Sequence, residues 1–257
     1  LGRGDGRNTT GTILSEDPSS NQGSFLYGYS SLASTMIEDA ISFPRNSDDW
    51  LTTLLIGAIL SIFSFLLVPG LILQGFLLRV ARAGANDEVE PPTFGNWIEL
   101  LVDGVKAFIV AFVYGILPAM VFVAMISVLA GGAVFSALSG NAGAAAGFGV
   151  LIAVVVLVML PVFLLIGYLT IAAQVRLAVT GDLGAAFQVG TVVRTAFKAD
   201  FFVGFLLGVI VGIALSIVGS LLVIVLVGLL ILVYAQMSMY YLFGRGYGKA
   251  TGDSSRA

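Results

Sequence analysis

The stretch FFVGFLLGVIVGIALSIVGSLLVIVLVGLLILVYAQMSMYYLF, Phe201 to Phe243, runs for 43 residues without an Asp, Glu, Lys or Arg. A helix needs about 20 apolar residues to cross roughly 30 Å of hydrocarbon, so this run predicts two crossings, with Gly219-Ser220 as the expected turn. Similar runs lie upstream. Leu51 to Val68 is followed by Pro69-Gly70 and Leu71 to Leu78, which ends at Arg79 and Arg82. Ala107 to Ala130 leads into the uncharged GGAVFSALSGNAGAAAG (131–147), and Phe148 to Ala173, interrupted by Pro161, leads into Arg176. Composition agrees: 58% of the 257 residues are apolar and 11% charged, and mean hydropathy is +1.02, whereas soluble domains hold roughly 45–50% and about 25%. Lipid is the expected solvent.

The basic residues fix an orientation. They gather around Arg79, Arg82 and Lys106, around Arg176, Arg194 and Lys198, and in the tail with Arg245, Lys249 and Arg256; 131–147 and the Gly219 turn have none. By the positive-inside rule the basic linkers and C-terminus are expected in the cytoplasm. A repeat accompanies this asymmetry. LILQGFLLRVARAG, TIAAQVRLAVTGD and VYAQMSMYYLFGRG each carry a glutamine (Gln74, Gln174, Gln236) followed by Gly84, Gly181 or Gly244. The linkers from Phe94 to Lys106 and from Phe187 to Lys198 also match.

The expected fold is therefore all-α: a multi-pass transmembrane helical bundle of three quasi-repeated hairpins, about six helical segments, with interfacial helices. The units are 36–84, 94–181 and 187–244 within a membrane domain 36–248, and a disordered tail is expected over 249–257. The repeat favours a short or re-entrant first hairpin with Pro69-Gly70 at its tip; a single kinked helix from Leu51 to Arg82 is the alternative. MIEDAISFPRNSDDW (36–50) and Thr93 to Lys106 read as amphipathic membrane-surface helices leading into hairpins, with Trp50 and Trp97 as interface anchors.

The leader, Leu1 to Thr35, is dense in Gly, Ser, Thr, Asn and Asp and shows no helical or strand period, so disorder is expected and Met36 is the expected start of translation. Arg3-Gly4-Asp5 and the sequon Asn8-Thr9-Thr10 fall in it, and tripeptides arise by chance in such tails.

A start at MIEDAISFPRNSDDW, then LLIGAILSIFSFLLVPGLILQGFLLRVARA, EVEPPTFGNWIELLVDGVKAF and a closing YYLFGRGYG together resemble the archaeal multi-pass membrane proteins grouped as domain of unknown function 4013, common in halophiles. The resemblance covers most of Met36 to Gly248 and implies architecture and archaeal origin, without a reaction or substrate. The Asp-rich, Lys-poor balance, 12 Lys+Arg against 15 Asp+Glu, fits a salt-rich cytoplasm or a GC-rich genome, and gives no basic patch for nucleic acid.

Chemistry-bearing residues are sparse. Without Cys or His the chain has no thiol or imidazole nucleophile pair and no soft metal site, and no ionisable residue lies inside the apolar runs, which argues against proton-coupled transport. No phosphate-loop or dinucleotide fingerprint is present, so no catalytic residue, cofactor or metal is expected. The polar groups left in the runs are Gln74, Gln174, Gln236, Ser61, Ser64, Thr170, Tyr114 and Ser216. The glutamines read either as interhelical packing bonds or as a ring around a path for a small neutral solute. Gly204, Gly208 and Gly212, spaced by four, predict a packing seam against the return helix bearing Val223, Val227 and Leu230, with Val209 facing lipid. Two functions stay open: a non-catalytic scaffold or accessory subunit, binding a membrane protein or a second copy in the bilayer, and a permease or channel.

Overall fold

The computed structural model describes residues 33–225 and 227–252, which are helical apart from short connections and contain no strand. The chain divides into two units at Met36/Ile37. Almost all of the leader, with Arg3-Gly4-Asp5 and Asn8-Thr9-Thr10, lies outside the described residues; 33–36 are helical. In the second unit, residues 37–42 are helical (α1) and pass into a 3-10 turn at Phe43–Arg45 with Pro44 inside it. Then follow α2 (Trp50–Ile62), α3 (Leu67–Ala85), α4 (Trp97–Ala111), α5 (Leu117–Leu138), α6 (Ala142–Thr180), the short α7 (Leu183–Ala186) and α8 (Val189–Ala196), α9 (Ala199–Leu221) and α10 (Val227–Gly252).

Among the described residues five helical stretches are long and apolar enough to cross a membrane, and α2 is apolar but shorter. The protein is an all-α, multi-pass membrane protein. Its middle is α3, which runs antiparallel to α4 and parallel to α10, while α10 pairs with α9 in an antiparallel hairpin and carries α2 on another face. The C-terminal part of α6 packs on α3 and α4, and α5 pairs with α6. The buried core joins these helices through Leu78, Ala81, Ala107, Val110, Phe201 and Phe243.

The first of the three quasi-repeats is a hairpin. Arg245 on α10 holds Asp39, before α2, and Asp87, after α3, the latter at 3.0 Å, while Asn46 Nδ2 donates to Val89 O at 3.1 Å. A single kinked helix could not bring both ends to one place. Its tip is Phe63–Leu66 rather than Pro69-Gly70. Pro69 instead lies in the first turn of α3, where the N–H it lacks has no intrahelical partner to lose.

The turn of the third quasi-repeat differs too. α9 continues through Gly219-Ser220 to Leu221, and a 3-10 turn at Val223–Val225 makes the reversal. Gly219 is where the arms meet: a Cβ there would stand 3.1 Å from Gly228 O and 3.0 Å from Leu232 Cδ2. Helix α6 passes through Pro161 without a break. Trp97–Lys106 is no separate surface helix but the first turns of a rod running on through α5, lying along α3 because Gly75 and Gly104 let the two backbones touch. The tail residues 249–252 continue α10, and 253–257 lie outside the described residues.

Candidate functional site

The parallel arms α3, α6 and α10 carry Gln74, Gln174 and Gln236, and the structure brings two of the three together. Gln74 Nε2 donates to Tyr240 OH at 3.0 Å. Gln174, 8% exposed, reaches Ala107 O at 3.5 Å. Both line a cavity of 410 Å³ together with Tyr240, Ser64 at the tip of the first hairpin, and Ala107, Phe108 and Ala111 of α4. Gln236 is absent from that lining, and its Oε1 is buried with no hydrogen-bond partner. A ring of three glutamines is therefore not what the fold builds.

Two irregular stretches of backbone adjoin these elements in the chain, and the first of them supplies Ser64 to the lining. One is the non-helical tip at Phe63–Leu66, where Ser64 Oγ donates to Ser61 O at 2.7 Å. The other is a π-helical turn, Phe112–Ile116, between α4 and α5. Pro118, at the start of α5, supplies no N–H to the Tyr114 carbonyl, and a widened turn relieves the clash that its ring would make there. The proline was the available signal for this feature, and reasoning from apolar periodicity passed over it. Tyr114 OH donates to Ala186 O at 2.9 Å and Tyr168 OH to Ala196 O, so the linker helices α7 and α8 are tied to the long hairpin.

A second cleft, of 560 Å³, lies at the basic end of the bundle and is lined by Arg79, Arg82, Lys106, Glu88, Glu99 and Asp103, among others. Arg79 pairs with Glu99 at 3.2 Å and Asp103 at 3.5 Å. Long-range convergence of this kind leaves no local mark in a sequence. Of the two tryptophans, Trp50 opens α2 and Trp97 opens α4, each partly exposed, and Trp97 stacks on Phe94 at 6.0 Å.

The glycine seam faces α10. A Cβ at Gly204 would stand 2.6 Å from Gly246 Cα, at Gly208 2.6 Å from Phe243 Cε1, and at Gly212 2.8 Å from Met239 Sδ. The partners are thus Met239 to Gly246 rather than Val223, Val227 and Leu230. With the reversal between α9 and α10, antiparallel pairing sets Gly208 opposite residues near 243, not near 227. Val209 packs against the core, and its neighbours Leu206 and Ile210 are the exposed ones.

The repeat glycines serve different ends. Gly84 lies on the Tyr241 backbone and Gly244 on that of Ala81, forming one α3–α10 contact. Gly181 instead takes φ +70° and stops α6, after which Asp182 caps α7 by accepting from Gly184 N at 2.9 Å and Ala185 N at 3.2 Å. Among the described residues no three His, Cys, Asp or Glu side chains gather to hold a metal.

No curated protein matches the chain, and neither does any solved structure. With uncharged hairpins, glycine-mediated helix contacts and a basic end, the chain belongs to the family described as Protein of unknown function (DUF4013), whose model matches residues 56–228.

Proposed function

We propose that the protein is a non-catalytic membrane scaffold or accessory subunit that uses its second hairpin to hold a membrane-protein partner or a second copy. The observation that carries this reading is the exposure of that hairpin. The most apolar 18-residue window of α6 is 0% buried, and that of the α4–α5 rod 6%. From Ala107 to Leu138 and from Ala142 to Val175 there is no charged residue. At 1.5 Å per residue these arms are about 48 and 51 Å long. A hydrocarbon core of roughly 30 Å accommodates about 39 Å of helix at the upper tilt of roughly 40°. About 10 Å of apolar rod remains, and bulky side chains stand on it: Phe135 is 75% exposed and Leu138 84%. A partner's apolar surface suits that excess.

A permease is the second reading, favoured by the 410 Å³ cavity that touches Gln74, Gln174 and Tyr240 beside the non-helical tip that carries Ser64, since irregular backbone within a membrane is tolerated where it lines a cavity. The absence of His and Cys from the chain supports a non-catalytic role. In this proposal the basic linkers and the C-terminus face the cytoplasm, and the Asp-rich, Lys-poor charge reflects an archaeal, salt-rich source.

The test is mild-detergent purification from native membranes. A stoichiometric partner or dimer, lost when Phe135→Glu and Leu138→Glu are introduced, supports the scaffold. A wild-type monomer whose solute flux in proteoliposomes falls with Gln174→Leu overturns it in favour of transport.

A further inference from the structure

Lys106 and Lys198 hold matching positions in the repeat and make matching bonds. Each Nζ donates to a carbonyl at the C-terminal end of a neighbouring helix: to Gly181 O, just after α6, at 3.0 Å, and to Ala250 O of α10 at 2.6 Å. At the first of these ends a second cation arrives. Arg82 Nε donates to Ala178 O, and a Cβ at Gly181 would lie 4.0 Å from Arg82 Nη2. Two positive charges therefore converge on one glycine. Among the described residues neither forms an ion pair: Glu99 and Asp103 are held by Arg79, and Glu88, which lines the same cleft and keeps its charge, accepts from the neutral Asn86 Nδ2 at 2.9 Å. A helix C-terminus offers only about half a negative charge, too little to offset both.

The unspent donors open into the 560 Å³ cleft at the basic end. An arginine has five N–H donors and a lysine three, so most remain available after one bond each. The same cleft is flanked by Ile98 and Val102, both exposed apolar side chains on α4. A charged recess beside a greasy wall, at the end of membrane-spanning helices, has the makeup of a headgroup pocket.

We propose that this cleft binds a phosphate group, with Arg82 and Lys106 sharing its oxygens. The planar guanidinium fork suits two phosphate oxygens and the ammonium adds a point charge. The phosphodiester of an anionic membrane lipid and free inorganic phosphate present the same chemistry, and Ile98 and Val102 give the lipid an additional surface for its chains.

The test uses the full chain in a neutral detergent with phosphatidylglycerol, with diacylglycerol of the same chains, or with inorganic phosphate. Binding is read by native mass spectrometry and by the shift in unfolding temperature. Phosphatidylglycerol is expected to bind and to raise that temperature, and diacylglycerol to do neither. Lys106→Gln and Arg82→Gln should each weaken binding at least tenfold, whereas Lys198→Gln, which removes the matching helix-end bond alone, should leave it unchanged. Lipid binding more than tenfold tighter than phosphate assigns the site to a lipid; equal affinities assign it to free phosphate. If the glutamine variants do not fold, Lys106→Arg should retain binding, and phosphatidylglycerol should still bind wild-type protein where diacylglycerol of the same chains does not. Failure of wild-type protein to bind either phosphate compound, binding of diacylglycerol as tight as that of phosphatidylglycerol, or equal loss in Lys106→Gln and Lys198→Gln, would overturn the proposal.

Discussion

Three glycines on one face of α9 should respond differently to the same methyl group. At Gly204 the three atoms nearest an added Cβ are all backbone: Gly246 Cα at 2.6 Å, Leu242 O at 2.8 Å and Gly246 N at 2.9 Å. Carbon atoms rest about 3.5–4.0 Å apart, so α9 and α10 must separate by roughly 1 Å, and such overpacking costs about 1–3 kcal/mol. Alanine in a helix returns about 1 kcal/mol relative to glycine, leaving Gly204→Ala destabilised by up to about 2 kcal/mol. At Gly212 the nearest atoms belong to the Met239 side chain: Sδ at 2.8 Å and Cγ at 3.3 Å can turn away, and Cβ at 3.3 Å has to give only a few tenths of an ångström. There the helical preference should prevail, and Gly212→Ala should be neutral or stabilising by up to about 1 kcal/mol. Gly208→Ala, facing the Phe243 ring, should fall between. At about 2–4 °C per kcal/mol for a chain of this size, thermal unfolding in mild detergent followed by circular dichroism resolves the order. If Gly204→Ala unfolds at a higher temperature than Gly212→Ala, the contact geometry assigned to this seam is wrong.

Three further outcomes are expected. The chain lacks cysteine, so single cysteines report topology directly: one at Asn141 should react with a membrane-impermeant maleimide added to whole cells, and one at Asp182 should not; the opposite pattern reverses the proposed orientation. Arg245→Gln should release both ends of the first hairpin, exposing residues 39–49 to protease and lowering stability by about 1–3 kcal/mol, while Asp39→Asn or Asp87→Asn alone, at half-exposed carboxylates, should cost under about 1 kcal/mol; equal losses in all three variants would contradict this. A double-mutant cycle of Gln74→Leu with Tyr240→Phe should give a coupling near 0.6 kcal/mol, and a coupling of zero would show that their hydrogen bond does not contribute to stability.

The membrane spans were legible because long uncharged runs have few alternatives in water. The first hairpin was not settled by its own residues, since the contacts that close it join Asp39 and Asp87 to Arg245, the former across 206 positions. Turn positions were misplaced for a different reason. Gly219 and Pro69-Gly70 read as breaks, yet one is a site of close helix approach and the other lies inside a first helical turn. The glutamines looked equivalent, but their distances to the repeat glycines, Gly84, Gly181 and Gly244, differ. Each residue of offset turns a helix by about 100°, so equal rank in the repeat does not give an equal face, and Gln236 points elsewhere than the 410 Å³ cavity. The cleft at the basic end had no local signature, because Arg82, Lys106 and Gly181 come from three separate helices or their ends.

The contact between Gly84 and Tyr241 spans most of the protein, and it sets an order of events during synthesis. Roughly 160 residues must be translated after α3 before its partner on α10 exists, which at about 5–20 residues per second is on the order of 10–30 s. Throughout that interval the first hairpin has to remain in the bilayer with its packing face bare, and a ribosome stalled before α10 would leave it inserted but unclosed. Release of the last helix, and not insertion of the first, is then the step that commits the chain to its native arrangement.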